Sequence, residues 1–280
     1  MKIVFAKEVG FCFGVRRALK MVQDNLSNMK KPINVYGSLI HNEEVIRDLE
    51  KKGVKIVKNL KNIDKGTLII STHGLSVKIK EKLRKIPNLD LLDTTCPLVI
   101  SVHNKVKLLQ KEGRQVLIFG DSNHQEVLGI KSFIKGEPFI FSSKKELLEF
   151  KPDKSKKYGL VSQTTQNFEK FKEIEKVIKK KIPKVEIYNT ICETSFKRQM
   201  EIMALAKETD MVLIIGSLTS ANSKRLFQTS LKINPNTYLV QTFKELKREW
   251  FKGKKSVGIG TGASTPDKVI TAVVKKVKSF

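Results

Sequence analysis

Cys12, Cys96 and Cys192 are the only thiols in the chain, and each stands at the same kind of place. Residues 89–92 predict a buried strand that runs through Asp93-Thr94-Thr95 into Cys96. Pro97 then suits a first helical turn, where its missing N–H costs nothing. Residues 184–188 predict a second strand, leading through Asn189-Thr190-Ile191 to Cys192 and a helix over 193–207. Residues 3–6 predict a third, leading through Val9-Gly10-Phe11 to Cys12, after which Val15, Ala18, Leu19 and Val22 share one helical face. A helix N-terminus favours thiolate, the form that binds metal. Three such thiols suit a zinc ion, an iron–sulfur cluster or burial as small hydrophobes. A structural zinc usually closes four ligands drawn from local C-x-x-C pairs, and none are present. One junction repeated three times favours a shared metal group over burial. A 4Fe–4S cluster on three thiolates leaves one iron without a protein ligand, open to act on a substrate as Lewis acid and electron source.

Three of the four histidines follow strands in polar loops: His41 after Gly37-Ser38, His73 in Ser71-Thr72-His73-Gly74, and His124 after Gly120-Asp121-Ser122-Asn123. His103, on the helix after Cys96, reads as background. With Ser220, Asn222 and Ser264, the three loop histidines offer donors to a phosphate or diphosphate, helped by helix N-termini. No G-x-x-x-x-G-K-[ST] is present, so P-loop nucleotide binding is not supported. Glu126, two residues beyond His124, is either a first-turn helix glutamate favoured by the dipole or, if turned into a cavity, a proton donor with a raised pKa.

The elements that carry these residues repeat. His41 follows Cys12 by 29 residues, His124 follows Cys96 by 28 and Asn222 follows Cys192 by 30; His73, Thr164 and Ser264 follow the same cysteines by 61, 68 and 72. Strands alternate with helices throughout, so each round predicts an α/β unit with a mostly parallel sheet. The units span residues 14–96, 97–192 and 193–280. The last lacks a closing strand, which residues 1–13 can supply. Three such units closed into a pseudo-threefold ring would turn the carboxyl ends of their strands, where ligands bind in parallel sheets, toward one centre.

Composition narrows the function classes. Lys and Arg number 54 against 28 Asp and Glu, a formal net charge of +26, which raises nucleic acid as a partner. The lysines are scattered over every predicted helix and loop, without zinc-finger spacing or an RNP-type aromatic motif, so no specific nucleic acid is expected. A lysine-rich surface also suits an acidic electron carrier or an anionic substrate. No apolar run is long enough to span a bilayer and no signal peptide opens the chain, so no membrane association is expected. Three cysteines fit a reducing compartment, and the cytoplasm is the expected location.

With the three cysteine contexts, His41, Thr72-His73-Gly74, His124-x-Glu126, Gln163-Thr164-Thr165, Ser220-x-Asn222 and Gly262-Ala263-Ser264, the chain resembles the 4-hydroxy-3-methylbut-2-enyl diphosphate reductases from Lys2 to its last helix. The resemblance implies a ring of three α/β units around a central 4Fe–4S cluster held by Cys12, Cys96 and Cys192. It implies that His41, His73, His124, Ser220, Asn222 and Ser264 hold the diphosphate of an allylic substrate. Glu126 would deliver protons, with Thr164 beside the substrate hydroxyl. The implied reaction is reductive dehydroxylation to isopentenyl or dimethylallyl diphosphate, with ferredoxin or flavodoxin as electron donor. Two positions depart from the family. Gln125 replaces a common proline between His124 and Glu126. Ala221 replaces a common serine and so would offer the substrate only its backbone N–H.

Overall fold

A computed structural model describes all 280 residues. The chain opens with β1 (Lys2–Phe5) and α1 (Phe13–Asn25), then β2 (Ile33–Tyr36), α2 (Glu43–Lys51), β3 (Val54–Val57), β4 (Gly66–Ile70), α3 (Val77–Arg84) and β5 (Leu89–Asp93). Next come α4 (Pro97–Lys111), β6 (Arg114–Phe119), α5 (Gln125–Lys131), β7 (Phe139–Phe141), α6 (Lys144–Glu149), β8 (Lys157–Ser162), α7 (Phe168–Lys181) and β9 (Glu186–Ile187). The last part holds α8 (Glu193–Glu208), β10 (Met211–Ile215), α9 (Ala221–Leu231), β11 (Thr237–Val240), β12 (Ser256–Thr261) and α10 (Asp267–Lys278).

The strands form three four-stranded sheets in the orders β3-β2-β4-β5, β7-β6-β8-β9 and β11-β10-β12-β1. Every pairing is parallel, as the alternation of strands and helices predicts. The first strand of the chain does complete the last sheet, with Lys2 opposite Ser256 and Phe5 opposite Ile259. Two strands, β3 and β7, and the helix α6 escape the sequence reading. Both strands are short edges paired on one side only: β3 is interrupted by Lys55, and β7 is only the three residues Phe139-Ile140-Phe141. β9 is shorter than residues 184–188: only Glu186 and Ile187 pair with β8.

By compactness the chain groups into two units. One comprises residues 1–16, 40–49 and 193–280; the other comprises residues 17–39 and 50–192. In the first, β10 is buried throughout, and its side chains alternate between faces. Met211, Leu213 and Ile215 pack with Val269, Val273 and Val277 of α10, whereas Val212 and Ile214 pack with Ile202, Leu205 and Leu226 of α8 and α9. Lys268 of α10 pairs with Glu44 at 2.9 Å and Asp48 at 2.7 Å, tying α2 to this layer. In the second unit β6 alternates likewise. Leu117 and Phe119 face Phe171, Ile174 and Ile178 of α7, and Val116 and Ile118 face Val102, Val106 and Leu109 of α4. No helix is long and apolar enough to cross a membrane.

Candidate active site

Each cysteine sits one residue before a helix, and each backbone N–H is fixed in the same way. Cys96 donates to the Thr72 carbonyl at 3.0 Å, Cys192 to Thr164 at 2.9 Å and Cys12 to Ala263 at 3.0 Å. The acceptor in every case lies just beyond the third strand of its sheet. Cys96 is the N-cap of α4 in extended conformation, with Pro97 as the first helical residue. None of the three is in a disulfide, and all are of intermediate exposure. Partial exposure at a helix start is where a thiolate ligand belongs and where a packed core cysteine does not. Three soft donors in one local geometry, with no C-x-x-C pair to close a zinc site, therefore fit an iron–sulfur group.

Two of the strand ends are clamped by a threonine two residues before the cysteine. Thr94 Oγ1 donates to the Ile70 carbonyl at 2.5 Å, and Thr190 Oγ1 donates to the Ser162 carbonyl at 2.6 Å. The matching residue before Cys12 is Gly10, which has no hydroxyl.

Glu126, Thr164, His124 and His73 lie in one unit. Glu126 is fully buried. It accepts from the Thr164 N–H at 2.6 Å and from Thr164 Oγ1 at 2.9 Å. Thr164 thus joins the carboxylate to Cys192, whose N–H its carbonyl accepts. Burial pushes the Glu126 carboxyl up to about 7, against the pull of the two Thr164 donors. Glu126 therefore lies in the first turn of α5 and is buried as well, the placement that the proton-donor reading requires. His124 caps α5, its Nδ1 accepting from the Glu126 N–H at 3.2 Å, which leaves Nε2 as the ring's outward donor. Its ring meets that of His73 edge to face, centroids 5.6 Å apart. Gly74 takes a positive φ of 81°, where a Cβ would crowd Thr95, so the turn after His73 needs glycine.

His41, Ser220, Ala221, Asn222 and Ser264 lie in the other unit with Cys12. Burial, and then the charge of Lys224 on α9, hold His41 below the ordinary imidazole range and so favour the neutral ring. Ser220 caps α9 through the Ser223 N–H at 3.3 Å. Ala221 is the first helical residue. Asn222 is buried, and its Nδ2 has no acceptor in the protein. Ser264 lies half-buried between β12 and α10.

Equivalent hydrogen bonds correct the register of the repeat. The N–H groups of Gly37, Gly120 and Gly216 donate to Val57, Phe141 and Val240 of the neighbouring edge strands. Four residues beyond these glycines stand His41, His124 and Ser220. Ser220 therefore matches the histidines, and Asn222 matches Glu126. Similarly Thr72, Thr164 and Ala263 are equivalent, so His73 matches Thr165 and Ser264 rather than Thr164. Equal spacing from the cysteines misplaces these residues by one or two positions because the intervening loops differ in length.

Two buried polar residues fall outside the sequence reading. His103, treated there as background, is 4% exposed, stacks on Phe133 at 4.2 Å and is pushed down to about 4, by burial first and then by Lys80 and Lys107. Arg198, six residues after Cys192, is 1% exposed. The matching positions after Cys12 and Cys96 are Ala18 and Val102, so a charge on this apolar face was the signal available.

A family model described as LytB protein matches residues 3–278. A 4-hydroxy-3-methylbut-2-enyl diphosphate reductase of Campylobacter lari is 39% identical over 282 aligned residues, covering 100% of this chain and 99% of that protein. Among solved structures, the E-1-hydroxy-2-methyl-but-2-enyl-4-diphosphate reductase from Plasmodium falciparum superposes with a TM-score of 0.93 at 30% identity, over 98% of this chain and 87% of that one. The structure of an (E)-4-hydroxy-3-methyl-but-2-enyl diphosphate reductase, the terminal enzyme of the non-mevalonate pathway, superposes with a TM-score of 0.71 at 37% identity over 100% of both chains. The matches run the full length of the chain and across all three cysteine junctions: the chain belongs to the LytB protein family.

Proposed function

We propose that the chain reduces (E)-4-hydroxy-3-methylbut-2-enyl diphosphate, in the isoprenoid route that its relatives serve, to isopentenyl and dimethylallyl diphosphate. The observation that carries this reading is the buried Glu126 carboxyl, able to hold a proton near neutral pH and bonded to the Thr164 hydroxyl. Cys12, Cys96 and Cys192 are the ligands proposed for one 4Fe–4S cluster. When bound, that cluster supplies two electrons in succession and an iron site for the substrate hydroxyl.

The remaining chemistry belongs to side chains. His41, His73, His124, Ser220, Asn222, Ser264 and the Ala221 N–H bind the diphosphate, the uncommitted Asn222 Nδ2 among them. The Thr164 hydroxyl orients the substrate's hydroxyl end and passes a proton from Glu126. One proton leaves with the hydroxyl as water and a second goes to carbon, so two electrons and two protons balance the loss of one water. Ferredoxin or flavodoxin is the proposed donor, the cytoplasm the proposed location, and no specific nucleic acid takes part.

The test is iron and acid-labile sulfide per chain after anaerobic purification, in wild type and Cys96→Ser, followed by assay of the allylic diphosphate with and without a reductant. About four of each in wild type, sharply reduced in the variant, with turnover only under reductant, is the expected result. Colourless, iron-free protein after anaerobic reconstitution would overturn it. Turnover without reductant would make the enzyme a Lewis-acid hydratase.

A further inference from the structure

The Cys12 junction is built differently from the other two. Before Cys96 and Cys192 a threonine hydroxyl satisfies the carbonyl at the end of the neighbouring strand. Before Cys12 that residue is Gly10, and the carbonyl of Thr261 is met instead by Arg198 Nη1 at 2.7 Å. The same guanidinium donates to Thr261 Oγ1 at 3.0 Å and, through Nη2, to the Gly10 carbonyl at 2.7 Å. The hydrogen-bond direction at Thr261 is also reversed, its Oγ1 accepting from the Gly10 N–H at 2.8 Å. A buried guanidinium thus does at one cysteine what a neutral hydroxyl does at two.

These acceptors are neutral, and a neutral clamp would have sufficed, as it does elsewhere. Burying a guanidinium without a hydrogen-bonded carboxylate carries a desolvation cost. Arg198 Nε has no hydrogen-bond partner. Burial lowers the pKa of Arg198; Cys12 first, then Glu8 and Glu201, favour its charge, and Arg16 opposes it. The largest of the influences that favour its charge is the thiol that would carry the metal group. Two observations therefore coincide: a structural task given to a charged residue where an uncharged solution exists, and a cysteine as its leading counter-charge.

We propose that Arg198 is the positioning residue of Cys12, its guanidinium pinning the Gly10 and Thr261 carbonyls while its fixed positive charge makes the cluster easier to reduce. The inference rests on the cluster reading above. Adding one electron from an external reductant places one more negative charge on the cluster and its thiolates, and a buried cation nearby lowers the cost of that charge. No bond is made or broken at Arg198.

The experiment is a redox titration of the anaerobically purified holoprotein with dithionite and mediators, followed by electron paramagnetic resonance, on wild type, Arg198→Gln and Arg198→Lys. Arg198→Gln keeps a donor and loses the charge. It is expected to shift the reduced-to-oxidised ratio at a fixed potential about tenfold toward oxidised, a shift of about 59 mV for one electron. Arg198→Lys keeps the charge and is expected to stay within about twofold of wild type. Equal shifts in both variants, or none in Arg198→Gln, overturn the inference. If Arg198→Gln does not accumulate, Arg198→Lys decides alone: a tenfold shift in it overturns the role of charge. Wild type that binds no cluster fails the underlying reading instead, before either variant is compared.

Discussion

Glu126 carries the clearest consequence at the scale of single residues. Its carboxyl is raised from 4.5 to about 7 by burial, so the folded state holds a proton that the unfolded chain has released between those two values. Stability is therefore greatest at acid pH and falls as pH rises from about 4.5 to about 7, by about 3 kcal/mol if the whole shift is realised. Glu126→Gln keeps both Thr164 contacts and should flatten this slope; denaturant melts at pH 5 and pH 8 measure it. In the proposed reaction the protonated form is the useful one. Wild-type kcat should fall as pH rises through about 7, and Glu126→Gln should lose about 100-fold to 10,000-fold with that fall abolished. Glu126 and Thr164 were each singled out in the sequence, but their pairing was not: it spans 38 residues of chain. Arg198 was missed for a related reason. A lone arginine on a helix reads as solvated until the other two repeats show that its position is apolar.

At the scale of elements, the strands with unbroken apolar runs, β4, β6, β8 and β10, were legible because they are buried on both faces. The edges β3 and β7 were not, because Lys55 interrupts β3 and β7 is only three residues long. The helices beginning at Pro97 and Glu193 were legible from their strand-to-thiol junctions. Packing between elements leaves fainter marks. On β8, Gly159 faces Leu109 of α4 so closely that a Cβ would lie 2.3 Å from Leu109 Cδ2. Gly159→Ala should cost about 1–3 kcal/mol by overpacking, and Leu109→Ala about 2–5 kcal/mol by cavity formation. The double variant should cost clearly less than their sum, because the added methyl fills the vacated space. Urea melts of the four proteins close that cycle.

For the whole molecule, the sequence revealed three sheets and the use of the first strand in the last one, because that strand precedes Cys12 as β5 precedes Cys96. The grouping into two compact units was not visible. Residues 40–49 cluster with residues 193–280, partly through Lys268 and its two carboxylates, and ion pairs so distant in sequence leave no local signature. The pairing of β1 with β12 has a temporal side. The ribosome makes β1 well before its only neighbour, β12, so the stretch leading to Cys12 waits through the synthesis of every element between them. In ribosome-arrested chains, trypsin should cut after Lys7 until Thr261 has emerged, and cutting should fall sharply once it has. The Cys12 thiol is then the last of the three to be set in place, and the proposed cluster across all three would load only after β12 has been made.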